Sequence, residues 1–182
     1  MTTPDATTEL SLANENLDRA ERRVAQYLTA FPDIDREAIE AGFRLTSVHA
    51  SQSAALMRLF TQLQVDVTLP RHSVLRFLFL AEPKQCAQNE IKSDLGVSSP
   101  TVTFLIDGLE ASELVVRSRN PADRREIFVA LTERGREMAS KFVMEMPEYF
   151  GKMFTGLSAS ERRTLNRLLK KLEHNADGAY PG

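Results

Sequence analysis

The sequence is short of several things, and each shortage excludes a class of protein. One cysteine, Cys86, occurs in 182 residues, so neither an intramolecular disulfide nor a cysteine-rich zinc site can form within the chain. No apolar run approaches the ~18 residues of a membrane span. The N-terminus has no basic stretch followed by an apolar one, the mark of a secretory leader. A cytoplasmic protein without membrane contact is the expectation. The three histidines, His49, His72 and His174, stand on separate segments without metal-ligand spacing. No G-x-S-x-G, P-loop or dinucleotide fingerprint is present. No metal, cofactor or catalytic group is therefore expected, and the chain does not read as an enzyme. A basic excess is missing too. The net charge of −2 does not advertise nucleic-acid binding, although arginines gathered at one place can act locally while acidic helices cancel the total. What remains is a folded chain of one domain, or one domain with an appendage.

The informative stretch runs from Gly96 to Gly135. Ser98 is a good N-cap, and Pro100 sits just inside the helix start, where its missing N–H costs nothing. Val102, Leu105, Ile106 and Leu109 recur at helical spacing and give one apolar face, opposite Ser99, Thr101, Thr103, Phe104 and Asp107. After Leu114 the period changes to alternation. Val115–Arg117 is one strand, and Ile127, Val129 and Leu131 mark another. The turn between them, Arg119 to Arg125, combines Asn and Pro with arginine. Before it, Ala87 to Leu95 makes a short helix, and Gly96 supplies a left-handed turn residue. Helix, turn, helix and basic-tipped hairpin together describe a winged helix-turn-helix.

That stretch resembles the MarR family of bacterial transcription regulators. The residues carrying the resemblance are Leu95-Gly96-Val97-Ser98, Thr101-Val102-Thr103, Leu105-Ile106-Asp107, Leu109-Glu110, Asp123-Arg124-Arg125 and Leu131-Thr132-Glu133-Arg134-Gly135. The resemblance implies a mainly α fold: a winged helix-turn-helix domain with a small β-hairpin wing, plus N- and C-terminal dimerisation helices. It also implies a homodimer on double-stranded DNA, acting as a repressor on a near-palindromic operator. DNA contacts would come from Ser98, Ser99, Thr101, Thr103 and Phe104 on the recognition helix and from Arg117, Arg119, Asp123, Arg124 and Arg125 on the wing. Arg125 would enter the minor groove and Asp123 would orient the wing. Two departures stand out, because many relatives carry a basic residue where Phe104 and Gly108 stand here. Phe104 can meet a thymine methyl or pack against the wing, and Gly108 removes a phosphate contact.

The flanks divide into helices. Leu10, Ala13, Leu17, Ala20, Val24, Tyr27 and Phe31 alternate spacings of three and four, a heptad seam that packs on its own subunit or on a partner's. Pro32 breaks it, and Asp33 or Asp35 can cap a long helix from about Arg36 to Gln64. Thr68-Leu-Pro-Arg opens a third helix, which the resemblance makes the first of the winged domain. Ala87 cannot cap the helix after it. Thr132 to Met146 forms a helix that Pro147 breaks or kinks. Ser158-Ala-Ser-Glu161 is a capping box ahead of a Leu165, Leu168, Leu169, Leu172 stripe. Taken with the resemblance, these helices imply a helical extension (1–32), a dimerisation region (33–66 and 133–175), the DNA-binding domain (67–132) and a flexible tail (176–182).

By the same resemblance, a small aromatic or phenolic effector would sit between the dimerisation helices and the winged domain, with Phe43, Arg44, Ser47, His49, Arg71 and His72 as candidate contacts. Cys86 reads as a buried structural thiol rather than an oxidant sensor. The rival reading is a dimeric winged-helix protein-interaction module that has lost specific DNA binding, motivated by the missing cations at 104 and 108.

Overall fold

A computed structural model of the chain describes residues 19–83, 85–120 and 126–179. Helix α1 is described over 19–30. It is followed by α2 (Arg36–Gln62), α3 (Leu69–Ala81), β1 (Cys86–Ala87), α4 (Gln88–Leu95), α5 (Ser99–Ala111), β2 (Val115–Arg119), β3 (Ile127–Leu131), α6 (Glu133–Val143), α7 (Met146–Met153) and α8 (Ala159–Ala179). The mainly α winged helix-turn-helix is as the sequence predicts. No helix among the described residues is long and apolar enough to cross a membrane.

The core gathers where α3, α4 and α5 meet the sheet. Val74, Leu75 and Leu78 of α3 pack with Ile91, with the predicted Val102, Leu105, Ile106 and Leu109 of α5, and with Val115 and Val129. Burying each such side chain contributes roughly 1.5–3 kcal/mol, so α5 is held by one face and free on the other. A second, smaller cluster of Phe60, Val65 and Phe142 joins α2 to α6.

The sheet has three strands rather than the expected two, in the antiparallel order β1-β3-β2. In β1, Cys86 pairs with Val129 and is 1% exposed, which agrees with a structural thiol. A two-residue strand is too short to show alternation, so its sequence gave no sign of it.

Local signals set most boundaries. The Asp35 carboxylate accepts from the Ala38 N–H at 3.0 Å and starts α2. Ala87 offers no side-chain cap, but the Glu90 carboxylate accepts from its N–H at 2.8 Å. Gly96 takes φ +61°, the left-handed end of α4. Ser158 Oγ accepts from Glu161 N–H at 3.3 Å, and Glu161 accepts from Ser158 N–H at 2.7 Å, completing the capping box.

Three boundaries differ from expectation. The helix after the wing ends at Val143, and Pro147 lies in the first turn of a separate α7. The α2 helix stops at Gln62 instead of Gln64, which itself has φ +54°. The α8 helix continues to Ala179, into the stretch assigned to a flexible tail, because nothing between His174 and Ala179 removes an N–H.

For the N-terminal seam, Leu10, Ala13 and Leu17 lie outside the described residues. Ala20 and Val24 are buried by the same chain, and Tyr27 sets its ring 5.3 Å from Phe43 of α2.

Candidate nucleic-acid interface

The outward face of α5 is a consequence of its inward one. With four apolar side chains buried, Ser99, Thr101, Thr103, Phe104 and Asp107 all face solvent. Three of the predicted hydroxyls are already engaged. Ser98 Oγ caps the helix from the Thr101 N–H (3.3 Å) and lies 2.8 Å from Thr101 Oγ1. Thr103 Oγ1 donates to the Ser99 carbonyl (3.0 Å) and accepts from Gln88 Nε2 (2.7 Å), which ties α4 to α5. Ser99 keeps its hydroxyl free among the described residues. Phe104 is 68% exposed, so most of it is open to solvent.

The wing is closed at its base by Asn120, whose backbone N–H donates to the Glu126 carbonyl (3.0 Å) and whose Nδ2 donates to the Glu126 carboxylate (2.5 Å). Asp123, Arg124 and Arg125 lie outside the described residues. Arg119 ends β2, exposed and opposite Ile127.

Arg117 is already paired within the chain. Its Nη2 stands 2.6 Å from Asp107 Oδ1, and its Nη1 donates to Glu110 Oε2 at 2.6 Å, with its side chain only 20% exposed. The Glu110 carboxylate also accepts from the Arg117 backbone N–H at 3.3 Å. A guanidinium held by two carboxylates is poorly placed to meet a phosphate. It joins α5 to β2 instead. The sequence did carry a signal: two acids at i and i+3 on one helix flank can share one cation.

The six effector candidates do not converge. Arg44 and Ser47 line an open groove of about 830 Å³ between α2 and α7, together with Arg58, Tyr149 and Lys152. Phe43 packs on Tyr27, and His49 is exposed. His72 is buried between Phe60 and Phe142, with ring centroids 5.0 and 4.2 Å away, because its position on α3 faces the second core. Arg71 lies against Gly108 of α5.

With this geometry established, the sequence profile of the MarR family matches residues 67–127. The HTH-type transcriptional regulator YpoP of Bacillus subtilis (strain 168) is 30% identical over 136 residues, covering 70% of this chain and 95% of YpoP. The chain belongs to the MarR family. Another relative from the same organism, the HTH-type transcriptional regulator YkoM, is 35% identical over 99 residues, or 54% of this chain. The match reaches 63% of YkoM, so it spans less than two thirds of that relative. Among solved structures, an S. aureus MepR–DNA complex aligns with a TM-score of 0.63 at 26% identity, covering 73% of this chain and 94% of that one. Bordetella bronchiseptica BpsR, whose DNA binding is regulated by 6-hydroxynicotinic acid, aligns with a TM-score of 0.58 at 26% identity over 74% of this chain and 98% of its own.

In this MarR-family chain the Leu-Thr-x-x-Gly motif lies beyond the matched region and has its own physical reason. Thr132 Oγ1 accepts from the Gly135 N–H at 3.0 Å and donates to the Glu113 carbonyl at 2.8 Å. Gly135 is buried so close to the α5–β2 link that a Cβ there would stand 1.9 Å from the Leu114 carbonyl oxygen. The motif therefore pins the end of the recognition helix to the start of α6.

Proposed function

We propose that this MarR-family chain is a sequence-specific DNA-binding transcription regulator, a repressor that works as a homodimer on a near-palindromic operator. The observation that carries the reading is the exposed face of α5, with Ser99, Thr101 and Phe104 outward beside a hairpin that ends in arginine. Such a face meets base edges in a major groove while wing cations meet phosphates. The alignment with DNA-bound MepR supports it. A two-fold dimer would set its half-sites about 34–36 Å apart.

Apolar faces left open on the terminal helices support dimerisation through residues 33–66 and 133–175. Val48 and Met57 on α2 and Leu168 and Leu172 on α8 are all 45% exposed or more in the single chain. The α2–α7 groove, with Arg44, Arg58 and Tyr149 in its lining, supports an acidic aromatic effector that releases DNA.

The test is fluorescence-anisotropy binding to the DNA upstream of its own gene, against an unrelated fragment, at two salt concentrations. Tight, salt-sensitive binding that prefers the upstream fragment is expected. Absence of binding at either salt favours the second reading, a dimeric protein-interaction module, for which the lack of any lysine or arginine in α5 speaks.

A further inference from the structure

Helix α5, SPTVTFLIDGLEA, contains no cation, and it carries Asp107 and Glu110. A helix lying in a major groove has a phosphate strand on each side, and contacts to those strands fix its register. One flank of α5 turns to the wing, because Asp107 and Glu110 reach Arg117 of β2 and Arg119 follows on the same strand. The other flank, marked by Thr101 and, two turns on, Gly108, has no charge of its own.

The structure supplies a charge there from another helix. Arg71, in the first turn of α3, lays its guanidinium over the backbone of Gly108. A Cβ built on Gly108 would stand 2.0 Å from Nη2, 2.4 Å from Cζ and 2.7 Å from Nε of Arg71. The group fits only because residue 108 has no side chain. Among the described residues Arg71 makes no hydrogen bond or ion pair, whereas Arg76, Arg117 and Arg136 each pair with a carboxylate. Arg71 is a half-buried residue, and its guanidinium, seated but unpaired, leaves its N–H fork for an external anion, and a phosphate matches that fork. A glycine in a helix interior is otherwise unfavourable. Here it opens the seat.

We propose that Arg71, seated over Gly108, is the phosphate-binding cation on the flank of the recognition helix opposite the wing. The inference rests on the DNA-binding reading above. It moves Arg71 from the effector candidates to the DNA interface and explains how α5 works without a cation of its own.

The experiment is a salt titration of full-length protein on a labelled, mixed-sequence duplex of about 30 base pairs, long enough for two successive half-sites. The variants are Arg71→Ala, Arg71→Lys and Gly108→Ala, with Arg22→Ala, an exposed cation of α1, as control, each checked for a native circular dichroism spectrum. Arg71→Ala should weaken low-salt binding by about tenfold and lower the slope of log K against log salt by about one per subunit. Arg71→Lys should keep the slope and lose part of the affinity, because a point charge replaces a fork. Gly108→Ala keeps every charge but evicts the guanidinium, so affinity should fall severalfold with the slope nearly unchanged. Native-like binding by Arg71→Ala, or an equal loss in Arg22→Ala, would overturn the proposal while leaving the regulator reading intact. Native-like affinity in Gly108→Ala would overturn the seat. Lack of salt-dependent binding by the unmodified protein would overturn the regulator reading and this inference with it.

Discussion

Arg117 of β2 and Glu110 of α5 are joined twice, by a 2.6 Å contact between guanidinium and carboxylate and by a 3.3 Å bond from the Arg117 backbone N–H to the same carboxylate. The recognition helix is thereby tied to the first strand of the wing. The two wing arginines of β2 thus differ in their surroundings, Arg117 paired and Arg119 exposed, and the tasks proposed for them can be separated by experiment.

Replacing Arg117 with Ala should lower stability in urea by about 1–2 kcal/mol, since two charge-assisted contacts are lost from a partly screened site. DNA affinity should fall as well, but without a change in its salt slope, because no phosphate contact is removed. Arg119→Ala should do the reverse, with stability unchanged and the slope reduced by about one per subunit. Identical slopes in the two variants would refute this division.

Gly135 and Gly108 should respond in opposite ways to alanine. At Gly135 the new Cβ meets the backbone oxygen of Leu114 at 1.9 Å, and that oxygen already accepts from the Thr132 N–H, so neither strand nor helix can give way cheaply. We expect Gly135→Ala to cost roughly 3 kcal/mol in equilibrium unfolding. Gly108→Ala meets only the mobile end of an arginine and should gain up to about 1 kcal/mol of helix stability. A mild Gly135→Ala would mean that the close approach at Leu114 does not hold in solution.

His72 should make stability depend on pH. Burial, helped by the positive charge of Arg76, pushes its pKa down from 6.5 to about 4. Between those values the unfolded chain binds a proton that the folded chain refuses, so stability falls as pH drops through that window and levels off below it. The full effect is roughly 3 kcal/mol. His72→Phe, which suits the aromatic site between Phe60 and Phe142, should remove most of it. Urea midpoints at pH 7 and pH 4.5 for both proteins measure the difference, and parallel losses would show that His72 is not the group responsible.

The leucines of α8 bear on assembly. Leu168 and Leu172 are 45% and 50% exposed, so if they hold the proposed dimer together, changing both to Glu should leave the winged domain folded while shifting the protein to a monomer in sedimentation. An unchanged sedimentation coefficient would show that these leucines hold no dimer together.

Much of this architecture could be read from the chain alone, because the deciding forces are local. Val102, Leu105, Ile106 and Leu109 repeat at helical spacing and are the residues found inside. Asp35, Ser98, Thr132 and Ser158 each cap the helix they precede, using a hydroxyl or carboxylate a few residues from its donor. The hairpin announced itself by a change of period. The third strand escaped, since two residues show no alternation and Cys86–Ala87 exist as a strand through pairing with β3, and so did the separate helix α7 around Pro147.

The assignment of individual polar residues was another matter. The same arginine-rich composition that marked the wing could not say that Arg117 is held by Asp107 and Glu110, that Arg71 rests on Gly108 from a different helix, or that His72 faces Phe142 rather than a ligand. Those outcomes depend on how α3, α5 and α6 come together, and they join residues from 7 to 70 positions apart in the chain. Periodicity and capping act over a turn or two of backbone, so they specify the elements and their buried faces. Where a long, flexible charged side chain ends up is settled only when packing brings its neighbours into place.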